Sequence, residues 1–321
     1  MKIPEKRYRD LNSYFRARFG ERVHKITVDA GFTCPNRDGR LSTGGCIYCN
    51  AKGSGTGQHG LGRTVTEQLE AARSRIAKRF KATKYIAYFQ SFTNTYAPVV
   101  TLKRLYDEAL AVEGVVGLAI GTRPDCVSPE TLELLAGYTG NHHVWVEYGL
   151  QSANDTTLAR INRGHDAACF ADAVAATRGR GILICAHIIL GLPGETAKDM
   201  RRTARFVADL GVDGVKIHLL YVVRETPMAE LYTSGRYTCL TPAEYADRVC
   251  DTLEVLPPAA VIQRLTGDPH PDELLAPAWA LEKAETMALI HRRLEERNTW
   301  QGKCFEGEGG RQHGLTRTDT D

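Results

Sequence analysis

The chain of 321 residues has little that would take it into or across a membrane. Its longest apolar run, Ile182 to Pro193, contains His187 and is far shorter than the roughly 20 residues that a transmembrane helix needs. The opening stretch MKIPEKRYRDLNSYF is basic but has no apolar core, so it predicts no secretory signal. Nine cysteines is an odd number, which argues against a disulfide framework. We therefore expect a reduced, cytoplasmic protein.

An excess of charge of one sign is also missing, since the formal net charge is only +3. The basic residues are nevertheless unevenly spread. Residues 1–30 contain eight Lys or Arg against four Asp or Glu, and residues 63–84 contain seven against two. Such clusters are typical either of solvated helix faces or of contacts with phosphates. The cations that could contact phosphates are Lys6, Arg7, Arg9, Arg73, Lys78, Arg79 and Lys81.

The composition, 43% hydrophobic and 25% charged, is that of a globular protein with a large core. Apolar, β-branched runs alternate with amphipathic helical patterns, which is typical of βαβ units. Strands are predicted at 24–32, 84–90, 115–122, 143–150, 182–190, 214–222 and 260–266, and helices at 63–80, 128–138 and 196–211. Nearly continuous apolar strands indicate a parallel sheet covered on both faces. We predict an α/β fold, a partial or near-complete (β/α) TIM-like barrel in a single domain.

Functional residues of such barrels follow the strands, at their carboxyl ends. In this sequence a loop with three cysteines follows the first predicted strand, and QSFTNTY follows the second. TRPD, QS, GLPGET and RETP follow the next four. The pattern predicts a site at the carboxyl edge of the sheet.

The cysteine loop suggests a metal centre with three protein ligands. Eleven residues separate Cys34 from Cys46, and two separate Cys46 from Cys49. A cubane iron–sulfur cluster on these thiolates would leave one iron open to a small molecule. A zinc site with His59 as the fourth ligand and a loop of free thiols are the alternatives that the spacing leaves open.

Seven stretches together resemble the radical S-adenosylmethionine (SAM) superfamily, and within it the YhcC/YtqA-type family. They are FTCPNRDG…GGCIYCN, AYFQSFTNTYAP, GTRPDCV, WVEYGLQS, INRGH, HIILGLPGET and LTGDPHPDELLAPAW…K. The chain is also distantly similar to the radical SAM part of the Elongator catalytic subunit and to oxygen-independent coproporphyrinogen oxidase. The resemblance implies a basic N-terminal extension at 1–23, the barrel domain at 24–300 and a flexible C-terminal tail at 301–321.

The resemblance implies two cofactors, a [4Fe–4S] cluster on Cys34, Cys46 and Cys49, and SAM. The cluster would pass one electron to SAM, cleaving it to methionine and a 5′-deoxyadenosyl radical that abstracts a hydrogen atom from the substrate. A flavodoxin or ferredoxin is the expected electron donor, and a monomer is the expected state.

Eight further residues are implied as SAM contacts. Tyr48 would lie near the adenine or simply pack the loop, and Gln90, Ser91 and Thr93 replace the Gly-Gly-Glu-like turn that receives the methionine amino group. Gln151 and Arg163 would touch the ribose and the methionine carboxylate, since an arginine fork matches a carboxylate. His187 would bind the ribose, face the substrate or belong to the core. Ile189, in the same strand, is the remaining contact.

Other polar residues at strand ends are candidates for the substrate side: Thr93, Asn94, Tyr96, Arg123 with Asp125, Glu147, Lys216 with His218, and Arg264 with Asp268. Ordinary buried hydrogen-bond networks are the alternative. Cys126, Cys169, Cys185, Cys239 and Cys250 are interpreted as structural, because free cysteines are among the most buried residues. Cys304 precedes a Gly-rich tail.

Similarity to the Elongator subunit in TRPD and in the long cysteine spacing points to modification of a wobble-uridine side chain in tRNA. Radical chemistry on a small molecule or tetrapyrrole is the alternative within enzymes. A zinc-stabilised, non-catalytic RNA-binding protein is the alternative from another class.

Overall fold

A computed structural model describes residues 4, 6–53, 55 and 57–306. Its centre is a seven-stranded parallel sheet in the order β1-β2-β3-β4-β5-β6-β8. The strands are β1 (Val23–Val28), β2 (Lys84–Phe89), β3 (Val115–Thr122), β4 (His143–Gln151), β5 (Leu183–Leu190), β6 (Gly214–Leu219) and β8 (Val261–Arg264). All seven predicted strands are confirmed. From β1 to β6 each strand pairs with the next strand along the chain, as in successive βα units, and β6 then pairs with β8.

The sheet curls into a partial barrel. Lys25 on β1 donates to Gln263 on β8 at 2.6 Å, although these strands stand at opposite ends of the sheet order. The paired neighbour of β1 is β2 and that of β8 is β6, so the sheet stays open between its two ends. Two short antiparallel strands, β7 (Val222–Val223) and β9 (Leu274–Ala276), follow β6 and β8.

Helices pack around the sheet. They are α1 (Leu11–Phe19), α2 (Val65–Phe80), α3 (Val99–Leu110), α4 (Pro129–Tyr138), α5 (Asp155–Arg160), α6 (Ala167–Thr177), α7 (Ala197–Asp209), α8 (Pro227–Thr233), α9 (Pro242–Val255) and α10 (Lys283–Glu296). The three predicted helices, α2, α4 and α7, begin at capping residues that satisfy their first N–H groups: Thr64, Ser128 and Thr196. None of the helices described combines the length and hydrophobicity of a membrane span.

Helix α1 closes the amino end of the barrel. Phe15 is only 1% exposed and belongs to an interior cluster with Val23, Trp145 and Val261, which come from three strands. A side chain of this size, buried among inward-facing residues, blocks the lumen from below. The described part of the predicted N-terminal extension is therefore packed into the fold, while the division into domains stays a prediction.

The start of the predicted C-terminal tail is also packed. Gln301 is buried, and its Nε2 donates to the carbonyls of Pro257 and Ala260 at 2.6 and 2.8 Å. Residues 307–321, most of that tail, lie outside the described residues.

Candidate active site

A cavity of about 740 Å³ opens at the carboxyl edge of the sheet. Cys34, Cys46 and Cys49 line one part of its wall. Seven of the eight predicted SAM contacts line the same cavity: Tyr48, Gln90, Thr93, Gln151, Arg163, His187 and Ile189. The expectation that functional residues follow the strands therefore predicted which loops meet at the cavity. The individual roles of these residues stay predictions.

Ser91 is the predicted contact that the structure does not bring to the cavity wall. It is fully buried, and its side chain packs so closely against Gly55 that a Cβ at position 55 would overlap the hydroxyl. The role of Ser91 as a SAM contact stays a prediction.

Cys46 has two hydrogen-bond donors aimed at its sulfur. Arg163 Nη1 lies 3.6 Å from Sγ, and Asn36 Nδ2 lies 3.7 Å from it. Burial raises the pKa of the Cys46 thiol, but the charge and hydrogen bond of Arg163 and a hydrogen bond with Tyr48 outweigh burial. The net pKa lies below its ordinary value, so this thiol is prepared to act as a thiolate ligand.

Cys49 is held through its backbone. Arg37 Nη2 donates to the carbonyls of Cys49 and Asn50 at 2.6 and 2.7 Å, which closes the cysteine loop on itself. Burial, reinforced by the neighbouring Cys46, raises the pKa of the Cys49 thiol. Sequence reasoning did not single out Asn36 or Arg37. The sequence feature that could have identified them is their position, two and three residues after the first cysteine.

Arg163 is fixed by contacts on two sides. Its Nη2 donates to the carbonyl of Gly149 at 2.7 Å, and its own carbonyl accepts from Arg123 Nη1 at 2.8 Å. Arg123, only 2% exposed, is in turn held by Asp125 through two hydrogen bonds of 2.7 and 2.8 Å. The chain Asp125–Arg123–Arg163 therefore orients the guanidinium that faces Cys46.

Several polar atoms near this wall have no hydrogen-bond partner within the described part of the chain. They are Arg163 Nε, Asn36 Oδ1 and Thr93 Oγ1, all buried. Gln151 adopts a left-handed conformation with φ of +75°, at a register shift between β4 and β5. Unpaired buried atoms and backbone outliers gather at ligand sites, because the surrounding fold has to hold them in place.

The thiols and their surroundings fit an iron–sulfur cluster better than a single ion. No group of three or more His, Cys, Asp or Glu among the described residues is arranged around one metal ion. His59, the fourth ligand of the zinc alternative, is exposed, and its ring packs on Gly31 rather than against the shared cavity. Thiolates of a cubane cluster bind different irons, so they need not converge on one point.

Below the cysteines lies what we term the inner polar layer: Lys25, Tyr88, Glu147, His187 and Lys216. Glu147 is fully buried and accepts from Lys25 Nζ at 2.5 Å, from Lys216 Nζ and from His187 Nε2 at 2.8 Å. Burial raises the pKa of Glu147, but the two lysines outweigh it and hold that pKa well below its usual range. Burial lowers the pKa of His187 to about 4, so its ring is neutral.

The remaining cysteines do not line the cavity that Cys34, Cys46 and Cys49 share. Burial raises the pKa of Cys126 to about 12, Cys169 to about 11, Cys239 to about 11 and Cys250 to about 12, and it raises that of Cys185 still further. Their structural interpretation agrees with these environments, and Cys304 is exposed.

The predicted phosphate-binding cations lie at the other edge of the sheet. Phe80, at the end of α2, stacks on His24 at the start of β1 with ring centroids 4.9 Å apart. The carbonyl of Arg9 accepts from Ile262 near the start of β8. Both basic groups therefore lie near the amino ends of the strands, which is opposite to the cysteine cavity.

Two family models match the chain: the Radical SAM superfamily over residues 36–207, and the Radical_SAM C-terminal domain over 212–296. The uncharacterized protein YtqA of Bacillus subtilis is 42% identical over 302 residues, covering 94% of each chain. Protein YhcC of Escherichia coli is 39% identical over 282 residues, covering 87% of this chain and 89% of YhcC. The structure of Elp3 from the archaeon Methanocaldococcus infernus, with its N-terminus deleted, superposes with a TM-score of 0.68 at 17% identity, covering 87% of this chain and 64% of that one.

Proposed function

The chain belongs to the radical SAM superfamily, and from this premise we propose that it modifies a nucleoside of tRNA, namely the side chain of a wobble uridine. The cofactors of the superfamily are a [4Fe–4S] cluster and SAM, and the three cysteines line one cavity with seven of the eight expected SAM contacts. The observation that carries the enzyme assignment is the convergence of Cys34, Cys46 and Cys49 on that cavity. The tRNA substrate rests on the similarity of TRPD and of the cysteine spacing to the Elongator subunit.

The three cysteines would hold the cluster, and Tyr48, Gln90, Thr93, Gln151, Arg163 and Ile189 would surround SAM. When bound, the cluster supplies the single electron that cleaves SAM to methionine and a 5′-deoxyadenosyl radical. A flavodoxin or ferredoxin would deliver that electron. The chain acts as a monomer in this proposal.

The residues of this chain contribute positioning and electrostatics. Arg163 and Asn36 donate to the sulfur of Cys46, which favours its thiolate form. Asp125 and Arg123 hold Arg163 in that position. These charges lie in a site of low solvent access, where they act more strongly than at the surface.

Exclusion of water is the second contribution of the chain. Phe15 closes the lumen at the amino end, and the seven-stranded sheet curls around the remaining space. A carbon radical abstracts hydrogen from whatever lies beside it, so a shielded lumen restricts the reaction to the bound substrate. The cavity of about 740 Å³ lies within the usual size of small-molecule sites and has to admit both SAM and the reacting group.

A large RNA needs contacts outside the cavity, since phosphate contacts supply affinity and orientation. We place these contacts at the mouth, where Arg40 and Arg224 are exposed. Arg40 belongs to the cysteine loop and lies over the ring of Tyr96. The backbone N–H of Arg224 donates to the carbonyl of Glu273, a residue of the cavity wall.

Nucleosides of total tRNA from a deletion strain and its parent, compared by mass spectrometry, test the tRNA proposal. We expect one modified uridine to disappear in the deletion strain and its precursor to accumulate. A plasmid carrying the wild-type gene should reverse the change, and one encoding Cys46→Ala should not. Identical nucleoside profiles in the deletion and parent strains would favour a small-molecule substrate.

A further inference from the structure

The inner polar layer lies between two cavities. Tyr88, Glu147 and His187 line the upper cavity that contains the cysteines. Lys25 and Lys216 line a second cavity of about 510 Å³ below it, which Tyr88 also lines. Barrel interiors at this level are usually filled with branched apolar side chains. A layer of charged groups here departs from that rule, and the departure needs a cause.

Positive charge exceeds negative charge in this region. Glu147 is the carboxylate of the layer, and it already accepts from Lys25, Lys216 and His187. Arg264 adds a third cation, lines both cavities and acts electrostatically on Lys216, His218 and Tyr88. Three basic side chains thus face one acid.

The guanidinium of Arg264 has neither a hydrogen bond nor an ion pair with any residue that the structure describes. Gln263 Nε2, beside it on β8, is buried and equally unpaired. Burial, opposed by Glu147 but reinforced by Lys25 and Arg264, lowers the pKa of Lys216 to about 7. Lys216 is buried and Arg264 is partly exposed, and together with Gln263 they leave more donors and positive charge here than acceptors.

A purely structural network would be complete without a ligand. Removing charges from water costs several kcal/mol per ion unless partners replace the water, and a cation without a partner brings no such return. The part of the layer around Glu147 meets this requirement, since the carboxylate has three donors. Arg264, beside this layer, is half-buried and has no partner among the described residues, and it lines the cavity into which the reacting group of a substrate would extend.

We propose that Arg264, beside the inner polar layer, is the main contact for an oxyanion carried by the substrate, a carboxylate or a phosphate, and that Lys216, which lines the lower cavity, adds positive charge. The inference deepens the proposed function, on which it rests, by naming a chemical property of the substrate. A guanidinium fork matches either oxyanion through two parallel hydrogen bonds. Glu147 acts as a positioning residue that holds Lys216 and Lys25 in place.

Anion binding to the reconstituted protein with SAM present tests the proposal, measured by anaerobic calorimetry with acetate and with inorganic phosphate as separate probes. We expect one probe to bind with one-to-one stoichiometry, and its identity to show which oxyanion the layer takes. Arg264→Gln should weaken that binding by about 10-fold or more, the scale of a hydrogen bond between charged groups. Arg264→Lys should retain part of it.

Arg205→Gln is the matched control, because Arg205 is an exposed arginine on α7, and binding should be unchanged in it. Arg264 has no partner in the fold, so its replacement leaves no carboxylate unpaired. If Arg264→Gln nevertheless fails to fold, crystals of the wild type can be soaked in each anion. The position of the bound anion then shows whether it contacts Arg264. The proposal would be overturned if neither probe bound, or if wild type and Arg264→Gln bound the probe equally.

The calorimetric test requires no turnover and no RNA. A protein that binds an anion through Arg264 but leaves tRNA nucleosides unchanged would retract the tRNA substrate and keep the anion site. A protein that changes tRNA nucleosides but binds neither anion would retract the anion site and keep the tRNA substrate.

Discussion

The guanidinium of Arg163 lies 3.6 Å from the sulfur of Cys46, although 117 positions separate the two residues in the chain. The same side chain donates to the carbonyl of Gly149 on β4. One arginine therefore links the loop after the first strand to the end of the fourth. This contact places the predicted cofactor ligand and the predicted SAM contact in one wall of the cavity.

Replacing Arg163 should separate SAM binding from cluster binding. We expect Arg163→Ala to weaken SAM binding by about 1.5 to 3 kcal/mol, the range for hydrogen bonds to charged groups, while the iron content stays that of wild type. Calorimetry and an iron assay measure the two quantities. Arg205→Ala, a change at an exposed position on α7, is the control. Unchanged SAM affinity would limit Arg163 to its contact with Cys46.

Gly149 gives an independent test of the same wall. A Cβ built at this position would lie 2.6 Å from Arg163 Nη2 and 2.7 Å from Gln151 Nε2, so both side chains would have to move. Gly149→Ala should therefore lower SAM affinity without removing any polar group. Gly137→Ala is the control, because its Cβ would meet nothing within 4 Å. Gly137 lies in a helix, where alanine should stabilise the fold by about 0.5–1 kcal/mol. Equal SAM affinity in the two variants would contradict the arrangement.

The seven strands and the loops that meet at the site could be predicted, because strands buried on both faces leave a clear apolar pattern and parallel strands end at one edge. The role of α1 could not be predicted from the sequence. In the sequence Phe15 resembles any apolar residue of an amphipathic helix, and only the structure shows that it lies below the lumen. The excess of cations around Glu147 also depends on which residues face inward. Register shifts near Gln151 and Lys216 decide this, and sequence alone does not show them.

The closure of the barrel by α1 predicts a large energetic effect at one position. Phe15→Ala should reduce the free energy of unfolding by about 3–5 kcal/mol, the cost of emptying a well-packed aromatic site. Denaturant titration measures it. Val100→Ala, at a position 76% exposed on α3, should change stability by less than about 0.5 kcal/mol. A small loss for Phe15→Ala would mean that α1 only rests against the barrel.

The position of the basic groups changes the expected RNA surface. A helix after a parallel strand runs back toward the amino edge, so basic residues in its last turn lie far from the site. We expect joint charge reversal of Arg40 and Arg224 to weaken tRNA binding and to flatten the dependence of log K on log salt by roughly 2 units. Joint reversal of Arg73, Lys78, Arg79 and Lys81 should leave both nearly unchanged. The opposite ranking of the two variants would return the docking surface to α2.

Anaerobic reconstitution of the wild-type protein distinguishes a radical SAM enzyme from a zinc protein, with iron, zinc and 5′-deoxyadenosine measured on the same sample after addition of SAM and a reductant. We expect four irons per chain and release of 5′-deoxyadenosine. Both should be lost in Cys34→Ala, Cys46→Ala and Cys49→Ala but not in Cys126→Ala. One zinc per chain without 5′-deoxyadenosine, or a normal cluster in Cys34→Ala, would contradict this expectation.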